Sequence, residues 1–189
     1  MNIRNLFSYG FLILILGLVQ ILFLKNLAVF GHAFGFLYLL GLLILPSTIR
    51  TIPLMLIAFC IGFILDIFFQ TIGMHTAAAT LFAFLKPTWL KVASPTGGFD
   101  EAEEPSLGQI GFGRYISYAF PLLFVYCLAF FTADQWGTGG FFGILSKSFF
   151  SALFTLLLTL VVQLLFFSRK RSISWEINVL PSSYWSFFY

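Results

Sequence analysis

The chain has 189 residues, 60% of them hydrophobic and only 9% charged, with a mean hydropathy of +0.99. A soluble domain carries about 25% charged and about 45–50% apolar residues, so this composition excludes a soluble fold, a disordered chain and a collagen-like fibre. The net charge of +3 comes from ten basic and seven acidic residues; spread over so apolar a chain they report membrane topology, and nucleic-acid binding does not follow from them.

A transmembrane helix needs about 20 mostly apolar residues, and the sequence predicts six such spans in an all-α integral membrane protein. The first covers residues 7–24; it follows Arg4 and imitates a signal peptide, but no small-residue cleavage site comes after it, so it reads as a retained span. The second, residues 34–45, is short and ends at Pro46. The third covers residues 53–69, and the fourth covers 75–90 with Pro87 near its end. Spans two and four lie at the short edge of what can cross, so tilt, a re-entrant path or local thinning of the bilayer is open to either. The fifth covers residues 115–132 and the sixth 149–167.

The positive-inside rule sets the orientation. With the N-terminus inside, Arg4, Arg50, Lys86, Lys91, Arg114, Arg169, Lys170 and Arg171 fall on the inner side and only Lys25 and Lys147 outside, eight against two. Both termini are then cytoplasmic. Gln70 to Gly73 is a short turn, which makes spans three and four an antiparallel hairpin. The inner loop, residues 91–114, mixes Pro and Gly with Asp100, Glu101, Glu103 and Glu104 and reads as solvated. The division is a membrane domain over residues 1–171 and an aromatic-rich cytoplasmic tail over residues 172–189, which carries Trp175, Tyr184, Trp185, Phe187, Phe188 and Tyr189.

Polar residues inside the spans are the candidates for function. Asp66 is the only acidic one. A carboxylate at mid-helix costs about 2.5–3.5 kcal/mol on insertion scales, so it is expected to face protein. Four-residue spacing puts Ala58, Gly62, Asp66 and Gln70 on one stripe, and the small residues admit a second helix closely. Asp66 either titrates, binds a cation or anchors a partner, or it is hydrogen-bonded within the bundle; the residues favour the second. Ser151, Thr155, Thr159 and Gln163 make another four-residue stripe, extended by Lys147, and read as a packing seam before a polar cavity. His75 sits across the turn from Asp66, as a proton-relay pair or as an ordinary helix-end contact. Gln20 reads as a helix-packing hydrogen bond. Cys60 and Cys127 lie in apolar runs with no CxxC or Cys/His cluster, so free thiols are expected and no metal or redox site. No GxSxG, HExxH, P-loop or dinucleotide motif occurs. The residues alone therefore point to a scaffold or small-solute binder with no cofactor and no enzyme chemistry.

The run Gly62-Phe63-Ile64-Leu65-Asp66, then Gln70 to Gly73-Met74-His75 and Ala77-Ala78-Ala79, resembles the MreD family of rod shape-determining membrane proteins. Phe82-Ala83-Phe84-Leu85-Lys86-Pro87, the acidic loop and Glu104-Pro105-Ser106 with Gly111-Phe112-Gly113 are similar to one branch of it. Gln20 and Pro46 sit where similar members carry Gln and Pro. The resemblance covers about residues 7–167; the tail from Trp175 departs from it. It implies a non-enzymatic component of the bacterial cell-elongation machinery in the inner membrane. Its partners would be a single-span MreC-like protein and, directly or through it, MreB filaments and peptidoglycan synthases. It also implies a bundle similar to the substrate-binding subunits of energy-coupling-factor vitamin transporters, a likeness of fold that transfers no ligand. A vitamin-like binding subunit is the alternative, and a lipid-acting enzyme built on His75 and Asp66 ranks last.

Overall fold

The computed structural model describes residues 3–24, 28–29, 33–93, 105–136 and 140–167. The acidic loop residues 100–104, the basic residues Lys25, Arg169, Lys170 and Arg171, His32 and the 172–189 tail lie outside the described residues.

Most of what is described is helical. Helix α1 (Ile3–Val19) runs on as a single π-type stretch, Gln20–Leu24. Two short strands follow, β1 (Ala28–Val29) and β2 (Ala33–Phe34), paired antiparallel with Ala28 opposite Phe34. Then come α2 (Leu39–Ile44), α3 (Thr51–Phe69), α4 (Met74–Ala93), α5 (Leu107–Ile110), α6 (Phe112–Asp134) and α7 (Phe141–Phe167). Among the described residues three helical segments are long and apolar enough to cross a membrane, Thr51–Phe69, Phe112–Asp134 and Phe141–Leu165. The 19 residues of α3 rise about 28 Å, close to the thickness of a bilayer's hydrocarbon core. The outward faces of these helices are apolar, with Phe63, Phe149, Leu157 and Leu164 exposed, as a lipid-facing surface requires. The chain is thus a mostly helical bundle of membrane-protein character.

The turn between α3 and α4 is as short as its sequence suggests. Gln70 takes a left-handed conformation (φ 57°) and its N–H bonds to the carbonyl of Asp66, ending α3. Gly73 also has positive φ, 74°, which glycine adopts without a Cβ penalty. The two helices then pack closely: a Cβ on Gly62 would stand 2.6 Å from Thr76 Cα and 2.9 Å from the His75 carbonyl oxygen. The small-residue stripe therefore serves the chain's own next helix. Ala58, Gly62 and Asp66 are buried on it, whereas Gln70 is exposed, because α3 has ended before the helical spacing reaches it.

The second expected span needs correction. Residues 34–45 do not form one helix. The helix is six residues long, Leu39–Ile44, and about 9 Å in rise; what precedes it is extended or turned. Every residue from Gly35 to Pro46 is nevertheless buried. This segment runs through the middle of the bundle, and α1 lies over it: Leu16 packs on Leu37, Leu40 and Ile44, and Ile13 fills the space above Gly41. The hydrophobic pattern could not distinguish such a thread from a short helix, since both are apolar throughout.

α5 and the kink after it were not foreseen in the 91–114 loop. Ser106 opens α5, and Gly111, with φ 81°, joins it to α6. Pro87 and Pro121 lie within α4 and α6 without ending them.

Candidate functional site

Most of the polar side chains of the interior hydrogen-bond to backbone. Asp66 is the clearest case. Its Oδ1 accepts from Thr71 Oγ1 (2.5 Å) and from the N–H of His75 (2.9 Å). Its Oδ2 accepts from the N–H of Thr76 (2.9 Å) and from Thr76 Oγ1 (2.5 Å). A carboxylate has about four lone-pair sites, and all are used. The first N–H groups of a helix have no partner within it; Asp66 supplies one to two of them in α4, as an N-cap delivered from the neighbouring helix.

His75 and Asp66 are brought together, but through the histidine's amide. The imidazole turns the other way. Its Nδ1 lies 3.0 Å from the hydroxyl of Tyr126, which lies 2.7 Å from the hydroxyl of Tyr38. The ring is enclosed by Phe36, Phe69 and Phe130, with centroids 5.9, 5.1 and 4.7 Å away. Its Nε2 is buried with no hydrogen-bond partner. This chain of Tyr38, Tyr126 and His75 ties three elements together, and no imidazole–carboxylate relay forms.

Three further side chains hold the buried thread at one end. Gln20 donates from Nε2 to the carbonyl of Gly35 and accepts at Oε1 from the N–H of Leu37, both at 2.8 Å. Ser151 Oγ accepts from Phe34 N–H at 3.0 Å, and Thr155 Oγ1 from Phe36 N–H at 3.1 Å. At the other end Lys86 donates to the carbonyls of Leu42 and Leu45, each at 2.7 Å, and Tyr118 donates to the carbonyl of Leu43 at 3.1 Å. These are the orphan carbonyls at the C-terminus of α2, where a cation is favoured by the helix dipole. Lys86 is therefore corrected from a solvent-side charge to a buried one, 2% exposed. The sequence signal for it is a lysine within an apolar span, which topology rules assign to the membrane edge. Tyr38, Tyr118 and Tyr126 gave no signal, because each acts through a contact distant in sequence.

The α7 stripe is buried along its length but divides in use. Ser151 and Thr155 serve the thread. Thr159 donates to the carbonyl of Leu156 in its own helix at 2.8 Å. Gln163 accepts from the N–H of Leu107 at 2.6 Å and so fastens α5 to α7. Lys147 is half-buried at the head of the stripe. Both cysteines are free: Cys60 is exposed on α3 and Cys127 is buried in α6. Among the described residues no group of three or more His, Cys, Asp or Glu could hold a metal ion.

One concavity stands out. A groove of about 820 Å³ runs along the exposed side of the α3–α4 hairpin. Met55, Phe59, Phe63 and Ile67, four residues apart, form one wall, and Ala77, Leu81 and Phe84 the other. Asp66, Thr76 and Thr80 border it, yet their polar atoms are engaged within the hairpin; Thr80 donates to the Thr76 carbonyl at 2.7 Å. The groove offers an apolar, membrane-facing recess of the size of several large side chains.

Fold and site together define a helical, membrane-type bundle most of whose described internal polar side chains bond to its own backbone. Compared with protein-family models, characterised proteins and solved structures, the chain matches none.

Proposed function

We propose that this chain is a non-enzymatic membrane scaffold of the bacterial cell-elongation complex. In this reading it crosses the inner membrane six times with both termini in the cytoplasm. It pairs with an MreC-like single-span protein and through it links MreB filaments to peptidoglycan synthases. The observation that carries the reading is the disposition of the polar interior. Asp66, Lys86, Gln20, Ser151, Thr155 and Gln163 each bond to backbone, so they stabilise a shape and do not converge on a reacting atom. The groove on the α3–α4 hairpin supports it as well. Close helix packing through small residues is how membrane helices associate, and Gly73 and Ala77 on this groove are small. The single span of the partner docks there, with the Gly62/Asp66 contact as the core that shapes the hairpin. The vitamin-binding alternative predicts a polar, ligand-sized cavity bordered by Asp66, Gln70 and the α7 stripe; the groove beside Asp66 is apolar, and neither Gln70 nor the stripe lines it, which favours the scaffold reading.

The test is an affinity purification from detergent-solubilised native membranes, with mass spectrometry of proteins and small molecules. The expected result is a single-span protein with a large outer domain and no stoichiometric small molecule. Photo-crosslinks to it should form from groups placed at Phe63 or Leu81 and not from Leu157 on α7. Recovery of a vitamin-like ligand with an ATP-binding cassette module would overturn the proposal.

A further inference from the structure

The buried thread raises a question of order. Among the described residues eight backbone groups of the thread and its approach bond to side chains of other elements: the N–H groups of Phe34, Phe36 and Leu37 and the carbonyls of Phe34, Gly35, Leu42, Leu43 and Leu45. Only Gln20, which serves Gly35 and Leu37, precedes the thread in sequence. The other six are served from 41 to 121 residues later, by Lys86, Tyr118, Ser151 and Thr155. In a bilayer, backbone groups without partners are costly, and non-helical backbone is tolerated at depth only when enclosed by protein. Closing the segment into one regular helix does not solve this. The 12 residues from Gly35 to Pro46 would rise about 18 Å, well short of the roughly 30 Å of hydrocarbon.

We infer that the segment of residues 34–46 enters the bundle last, drawn in as a backbone thread once α4, α6 and α7 stand, instead of inserting in its turn as a second helix. Until then it lies at the membrane surface, where water serves its backbone. The same geometry sets the place of α1. Its described packing is on the thread, through Ile13 at Gly41 and Leu16 at Leu37, Leu40 and Ile44, in one cluster with Leu158 and Val162 of α7. The first helix to be made therefore closes over the bundle at the end. The hairpin α3–α4 is the opposite case: Asp66 and its four donors lie within ten residues of one another, so it forms as soon as both helices exist. The inference concerns assembly and holds whichever partner the finished bundle meets.

The experiment is pulsed hydrogen exchange on the unaltered full chain as it refolds from denaturant into phospholipid bicelles. Amides of residues 37–45 are expected to gain protection several-fold later than those of residues 58–66 and 152–160. Protection of all three at one rate, or of the thread before α7, overturns the inference. A second measurement removes the late partners. The double variant Ser151→Ala/Thr155→Val is expected to delay protection of the thread several-fold further while leaving the α3–α4 hairpin on time. Thr159→Val, which removes a hydroxyl that bonds to the Leu156 carbonyl and to no group of the thread, is expected to change neither. An equal delay from Thr159→Val, or none from the double variant, overturns the inference.

Discussion

Replacing Asp66 by Asn is the sharpest probe of the hairpin, because it keeps the shape and alters only the bonding. The carboxylate receives four donors, two on each oxygen. An amide keeps one acceptor oxygen and turns an NH2 toward the other pair. The threonine hydroxyl of that pair can rotate and accept. The backbone N–H cannot, so one buried N–H of either His75 or Thr76 is left without a partner, at a cost of about 1–3 kcal/mol. The bonds that survive lose their charge assistance, which roughly halves their strength. Together these give a loss of about 2–4 kcal/mol, against about 1 kcal/mol for Thr76→Val, which removes a single hydroxyl bond. The assay is reversible unfolding of the purified chain in mixed micelles, titrated with dodecyl sulfate. Hydrogen exchange should localise the damage to residues 75–77. An Asn variant within about 0.5 kcal/mol of the parent, the range of an ordinary surface change, would refute the capping argument. So would an exchange increase spread evenly over α4.

Lys86→Met leaves the carbonyls of Leu42 and Leu45 unpaired while easing the burial of a charge; a net loss of about 2–4 kcal/mol is expected, and a Met variant as stable as the parent in the same titration contradicts the clamp. Gly62→Ala puts a Cβ 2.6 Å from Thr76 Cα, so the helices must part; overpacking of this kind costs about 1–3 kcal/mol, read as a lower unfolding midpoint. A lipophilic maleimide is expected to modify one thiol of the folded chain, Cys60, and a second, Cys127, only on unfolding; intact-mass analysis showing two adducts before unfolding counts against the buried position of Cys127.

The long helices were legible because length and apolarity leave a chain few choices in a bilayer. Thr51–Phe69, Phe112–Asp134 and Phe141–Phe167 lie within a few residues of the third, fifth and sixth expected spans, except that α7 begins eight residues earlier than residue 149. The turn from Gln70 to Gly73 was legible from its length and its glycine. The burial of Asp66 followed from its cost in lipid, but which atoms it would meet did not, since two of its donors are backbone groups of the next helix. The thread was illegible for a physical reason. An apolar run that is enclosed on every side has no periodicity, so a strand, a turn and a helix read alike. Lys86 was misplaced because a rule about charge distribution treats every lysine near a helix end as solvated. The Tyr38–Tyr126–His75 chain joins residues 88 and 51 positions apart, and nothing in a single sequence announces such a meeting.

The way the buried thread is held also decides which substitutions this architecture can absorb. Its anchors are a few side chains: an amide at Gln20, hydroxyls at Ser151, Thr155 and Tyr118, an ammonium at Lys86. Along the exposed apolar side of α7, by contrast, Leu153, Leu157, Val161 and Leu164 hold no part of the thread, and exchange at exposed positions of this kind costs within about 0.5 kcal/mol. A chain of this design can drift through most of its length and keep its form, provided a handful of positions stay put. Its fold is stored in a sparse set of addresses, each a side chain that answers one stretch of otherwise unpaired backbone.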